Sequence, residues 1–407
     1  LRRLTAEIAE IAALPVQAEN AAEWRRLNAL KPGRPLVYVW PGQVPWHELN
    51  VNDELTLQCR DEFCRQHELR LRRLLYQWRH FPGDMVVDPV YACPKVFHHK
   101  GFGIAVDEEI SVTDASSDIV GHSYHGQFHG PEDLEKIRAP KVTYDREATE
   151  ANRARLEALF GDVLPVEVRG PAEFGPGMVD ELFTWWGIQQ AFLDLTERPD
   201  CFHEAMERLT NAHLSLIDQY EELGVFSAGT GSHVTGQGGQ AFSDELRQNA
   251  DGPEPARAAD LWGSARAQIF AGVSPAMHEE FSLQYERRLL ERFALTYYGC
   301  CEPLHLKVGI LRRIQNLRKI SMSPRAEPET AAKALGTDYV FSWKPNPAVF
   351  VGAGWGALEA DLRRFFEVAE GCIVEVILKD VSTVEYKPER LWEWAETARR
   401  VAHEAGM

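Results

Sequence analysis

The densest chemistry in the chain lies in the eleven residues from Phe293 to Pro303, FALTYYGCCEP. An apolar, aromatic run stops on Gly299, two adjacent thiols, a carboxylate and a proline. Thiolates are nucleophiles and soft metal ligands, and a carboxyl in an apolar setting can act as a general acid. His305 and Lys307 follow closely. Cys300, Cys301 and His305 are therefore candidate metal ligands, and Glu302 a candidate acid. Neighbouring residues on a strand point to opposite faces, so at most one of the two thiols should face an interior unless the strand has already turned.

Other reactive side chains also stand where short apolar runs end. Met85–Val87 ends on Asp88, Leu164–Val168 on Arg169, Tyr339–Ser342 on Trp343 and Lys344, and Ile373–Leu378 on Lys379 and Asp380. We take Asp88, Glu302, Lys344 and Asp380 as candidate catalytic groups. Trp40, Tyr91, Arg169, His233, Gln268, Tyr298 and Trp343 are candidate substrate contacts. His233 belongs to a glycine-rich stretch, 228–239, that lacks the glycine order of a nucleotide phosphate loop but permits close backbone approach. His98, His99, His122, His125 and His129 show no ligand spacing on a helix and read as ordinary polar contacts.

The elements that must position these groups alternate. Strands are expected over Pro35–Trp40, Met85–Asp88, Leu164–Arg169, Val225–Ser227, Phe293–Tyr298, Lys319–Ser323, Tyr339–Trp343 and Ile373–Leu378, mostly separated by amphipathic helices. A polar break falls at 249–256. Eight strands alternating with helices, without a dinucleotide-binding turn, imply an α/β fold: a (β/α)8 TIM barrel whose strand ends converge on one face. Residues 1–34 form an N-terminal helical extension, 91–145 an insertion over the barrel mouth, and 1–407 a single domain.

Composition bounds the partners. A net charge of −17 argues against nucleic acid, whose phosphates call for clustered Lys and Arg. No run is long and apolar enough to span a bilayer, and the start lacks a signal-peptide core. Seven scattered cysteines fit a reducing compartment, so the cytoplasm is the expected location. A homodimer is an open expectation.

The run Gly83–Pro89 with its terminal Asp88, the segment Val96–Glu109, the stretch Leu193–Pro199 and the helix opening at Pro388 resemble the uroporphyrinogen decarboxylase superfamily. The resemblance is diffuse over most of the chain. Trp40–Trp46 stands where true decarboxylases of that group carry an arginine-bearing motif. The branch it is most similar to comprises cobalamin-dependent methyltransferases, which hold zinc through a His-x-Cys motif and a distant cysteine. Tyr298–Cys300 or Gly299–Cys301 occupies that place without the histidine; a site rebuilt from Cys301, Glu302, His305 or Asp380, or no site at all, follows. The resemblance implies methyl transfer between a small O- or N-methylated substrate and a corrinoid (cobalamin) protein as partner, with Asp88 or Glu302 protonating the leaving atom. The alternative is a metal-independent decarboxylase or lyase of a small carboxylic acid.

Overall fold

The computed structural model describes residues 1–112, 115, 120–248, 255–351 and 357–406, so most of the polar break expected at 249–256 lies outside the described residues. The strands that matter are β1 (Leu36–Val39), β2 (Tyr91–Pro94), β3 (Val166–Arg169), β4 (Glu173–Phe174), β5 (Trp262–Ala265), β6 (Leu295–Tyr298), β7 (Leu317–Met322), β8 (Val340–Trp343) and β9 (Ile373–Leu378). Seven of them form one curled parallel sheet in the order β1–β9–β8–β7–β6–β5–β4, and β2 pairs with β3 separately. β9 is buried along its whole length, as a parallel strand covered on both faces must be. Val374, Val376 and Leu378 pack on one face, while Glu375, between Ile373 and Ile377 on the other, joins a polar cluster.

The closed ring of eight strands is met in part: among the described residues the sheet edges β1 and β4 do not pair. Two expected strands, at 85–88 and 225–227, form no ladder. The reason is that side chains have taken their backbone partners. In helices α1 (Arg2–Ala12) and α2 (Pro15–Asn28), the second supplies Gln17, Asn20 and Trp24. Asn20 donates to the Met85 carbonyl, the Trp24 indole N–H to that of Asp84, and Gln17 accepts from Val87 N. Gln240 Oε1 accepts from Val86 N. At the other segment the Lys95 ammonium donates to the carbonyls of Gly224 and Phe226. Buried backbone groups are satisfied without a sheet.

The expected insertion is less separate than it looked. β2 lies inside it and pairs with β3, while Val96–His98 with Thr143–Asp145, and Glu108–Ser111 with Gly121–Tyr124, make small antiparallel ladders. The glycine-rich stretch threads inward and touches several walls. A Cβ on Gly239 would fall 2.1 Å from Trp24, and one on Gly236, whose φ is +53°, 2.4 Å from Tyr297. Only glycine fits at these two positions.

Candidate functional site

Strand alternation decides what β6 presents. Tyr297 faces the interior and Tyr298 faces the helices behind the sheet. Tyr297 OH accepts from Lys344 Nζ and lies 3.3 Å from Ser342 Oγ. Lys344 also donates to Ser342 Oγ at 2.6 Å, and Ser342 in turn donates to Glu375 Oε1 at 2.6 Å. Lys319 completes the cluster with a 2.8 Å bond to Glu375 Oε2, both side chains being fully buried. Its ammonium sits 5.5 Å from the ring centroids of Trp24 and Trp262. Burial, joined by the charge of Lys379, pulls Lys344 down to about 7 despite Glu375.

Tyr298 contacts no substrate space, contrary to expectation. Its hydroxyl donates to Glu286 and bonds His278 Nε2 at 2.6 Å, and Lys307 donates to His278 Nδ1 at 3.1 Å. These groups form a buried chain between β6 and the helical segment 275–290. Burial carries Glu286 up to about 8 and depresses His278 to about 3. Trp343 likewise faces outward, stacked on Phe365 with centroids 3.7 Å apart.

The thiols sit just past β6, where Gly299 adopts φ +101°. Cys300 Sγ is 3.4 Å from Cys301 Sγ and 3.0 Å from Lys379 Nζ. Cys301 donates to Asp380 Oδ2 at 3.3 Å, and Lys379 also reaches Gln237 Oε1 at 2.9 Å. The hydrogen bond from Cys301, then the Lys379 charge, lower the Cys300 thiol to about 7 against its burial, while Cys301 is pushed up. Cys300, Cys301, Lys344, Lys379 and Asp380 thus do converge. Glu302 does not face the opening: fully buried, it accepts from Cys300 N and Ala267 N and so holds the turn. His305 bonds neither thiol, and its Nδ1 is buried without a partner.

A zinc ion does not fit this arrangement. Among the described residues no three His, Cys, Asp or Glu side chains are grouped to hold a metal, and a lysine ammonium stands against the Cys300 sulfur instead. The five histidines of the 91–145 segment form no such group either; His122, for example, bonds Glu108 at 2.7 Å.

Asp88 belongs to a second centre. Its Oδ2 accepts from Arg169 at 2.9 Å and from Ser232 Oγ at 2.7 Å, and Arg169 also holds Glu167. These residues line a cavity of about 950 Å³ with Lys95, Glu173 and His233. Burial lowers His233 to about 4, so its ring is neutral; it bonds the Ala172 backbone, and Nε2 has no partner. Neither thiol lines this space, nor do Trp40, Tyr91, Gln268 and Lys344. Tyr91, its hydroxyl on His67 Nδ1 at 2.7 Å, instead lines an adjoining cavity of about 480 Å³ shared with Asp88 and Ser232. Trp40 has a buried indole N–H without a partner, and the backbone N–H of Gln268 bonds Asp180.

Sequence reasoning missed Glu173. It sits on a two-residue strand after Pro171, too short to show a period. Its carboxyl accepts from Ser264 Oγ at 2.6 Å and from Gly236 N at 2.7 Å. Burial raises its pKa, although both bonds oppose this. Lys319, Tyr297 and Glu375 were also missed, because each looks like one more residue of a buried strand.

The fold and the convergence of ionisable groups on strand ends define a barrel-like α/β protein with a polar mouth. No family model matches the chain, and no curated protein matches it. Among solved structures it is similar to a methyltransferase from Methanosarcina mazei, with a TM-score of 0.51 at 12% identity, over 93% of this chain and 98% of that one. At that identity the likeness is one of fold.

Proposed function

We propose that this protein is a methyltransferase moving a methyl group between a small O- or N-methylated substrate and a corrinoid carried by a partner protein. The observation that carries the reading is Glu173, a half-buried carboxyl on the wall of the large cavity, held between two donors. Breaking a methyl–oxygen or methyl–nitrogen bond leaves a basic atom that must take a proton. A carboxyl whose hold on its proton is raised by burial supplies it, and Ser264 and Gly236 N–H then stabilise the carboxylate that remains. Asp88 orients Arg169 and Ser232 against the same space, and neutral His233 offers Nε2 as an acceptor for a donor group on the substrate.

The corrinoid, when bound, supplies the nucleophile that accepts the methyl group. A partner-borne corrinoid needs an opening rather than a socket, which suits a cavity whose Asp88 and Arg169 side chains are 22% and 33% exposed. The fold likeness to the Methanosarcina mazei methyltransferase supports the same reading.

The test is to incubate the protein with methoxylated aromatic and N-methylated compounds and free cob(I)alamin. Protein-dependent demethylation, followed by proton NMR together with the corrinoid absorbance, is expected. Carbon dioxide release from small carboxylic acids without corrinoid, and no demethylation, would replace this reading with a decarboxylase.

A further inference from the structure

The cavity assigned to methyl transfer leaves Cys300 and Cys301 without a task, since neither sulfur lines it. Yet the pair is set up with unusual care. The two sulfurs already touch at 3.4 Å, Lys379 Nζ lies 3.0 Å from Cys300, and Asp380 accepts from Cys301 at 3.3 Å. Asp380 holds a left-handed backbone, φ +58°, that a residue with a side chain adopts at some cost. The pair is graded in exposure, with Cys301 half-buried and Cys300 buried behind it.

We propose that Cys300 and Cys301 form a peroxide-reactive dithiol that closes reversibly into a disulfide between adjacent residues. Cys300 thiolate, held beside the Lys379 ammonium, attacks the peroxide; an S–O bond forms, the O–O bond breaks, and the departing oxygen takes a proton to leave as water or an alcohol. Cys301 then attacks the Cys300 sulfenic acid, giving its proton to Asp380 as the S–S bond forms and the S–O bond breaks, and the hydroxide released leaves as water. Both sulfurs are oxidised and the peroxide is reduced. Neighbouring Cα atoms are only about 3.8 Å apart, closer than disulfides prefer, so the product is strained and readily reduced by thiols.

The experiment treats the intact protein with hydrogen peroxide, alkylates free thiols and maps peptides by mass. The peptide carrying both residues should lose two hydrogens, resist alkylation and recover with dithiothreitol, about tenfold faster than Cys59, Cys64 or Cys201 react. In Cys301→Ser the reaction should stop at a sulfenic acid on Cys300 that dimedone traps, and Asp380→Asn should lengthen the life of that species in the native pair. Added oxygen on either sulfur without the mass loss, or oxidation no faster than that of the other cysteines, would overturn the proposal. Mapping of the unaltered protein decides the matter even where a variant fails to fold. Because the readout is the peptide mass, the result is independent of which substrate the cavity takes.

Discussion

Glu173 and Arg169 divide the work of the cavity between proton supply and binding, and substitution separates the two. Glu173→Gln keeps the shape, with its amide oxygen accepting from Gly236 N–H and its NH2 donating to Ser264 Oγ in a reversed bond, but has no acidic proton to give. We expect kcat/KM to fall about 10²-fold with methyl ethers of basic leaving groups, and far less with a nitrophenyl methyl ether, whose leaving group needs no acid. Parallel losses on both ethers in a steady-state demethylation assay would place Glu173 in structure alone. Asp88→Asn should instead act through Arg169, raising KM more than it lowers kcat, with stability changed by less than about 1 kcal/mol because the pair is part-exposed. Such residues were unevenly legible. Asp88, Arg169 and the thiols announced themselves by ending apolar runs. Glu173 and the interior lysine Lys319 did not, since a charge inside a buried strand is recognisable only once its partner across the sheet is known. The choice of Tyr298 over Tyr297 failed for a simpler reason: two like residues in succession leave the facing ambiguous by one position.

At the scale of elements, β7 and β9 are joined through Lys319 and Glu375, and the glycine-rich segment is pressed between β6 and α2. Lys319→Met removes one partner of a fully buried pair and should lower unfolding free energy by about 3–5 kcal/mol in chemical denaturation, since the buried Glu375 loses the ammonium bonded to it. Replacing both, Lys319→Met with Glu375→Leu, should recover at least half of that loss. Gly239→Ala should cost about 1–3 kcal/mol by forcing Trp24 aside, while Gly272→Ala, with open space around it, should be neutral. Strands rich in Val and Ile were readable from composition. The segments at 85–88 and 225–227 also look like strands, but local pattern does not reveal that Asn20, Trp24, Gln240 and Lys95 would claim their backbone groups.

For the whole molecule, the chain of Glu286, Tyr298, His278 and Lys307 links global stability to pH. Glu286 is raised from 4.5 to about 8, chiefly by burial. Between those values the folded protein keeps a proton that the unfolded chain has lost, so this group's contribution is full below 4.5 and is lost as pH rises through 8. Glu286→Gln has nothing to lose. Its stability relative to the parent should therefore increase steadily from pH 5 to pH 8 in urea titrations; a difference that stays flat would mean that Glu286 is charged when folded. The curled parallel sheet was legible because short apolar runs recur with helices between them, whereas its open edges were not, because the runs at 85–88 and 225–227 give backbone groups to side chains instead of to a ladder. That open margin has a consequence. Asp84 claims the amide and carbonyl of Val37, and Gln77 the carbonyl of Val39, along the outer edge of β1. With residues 1–30 deleted, the 84–87 segment would lose Gln17, Asn20 and Trp24; once it lifts away, the bared edge of β1 would invite any passing strand, and light scattering should find the shortened protein clumping with concentration where the intact one does not.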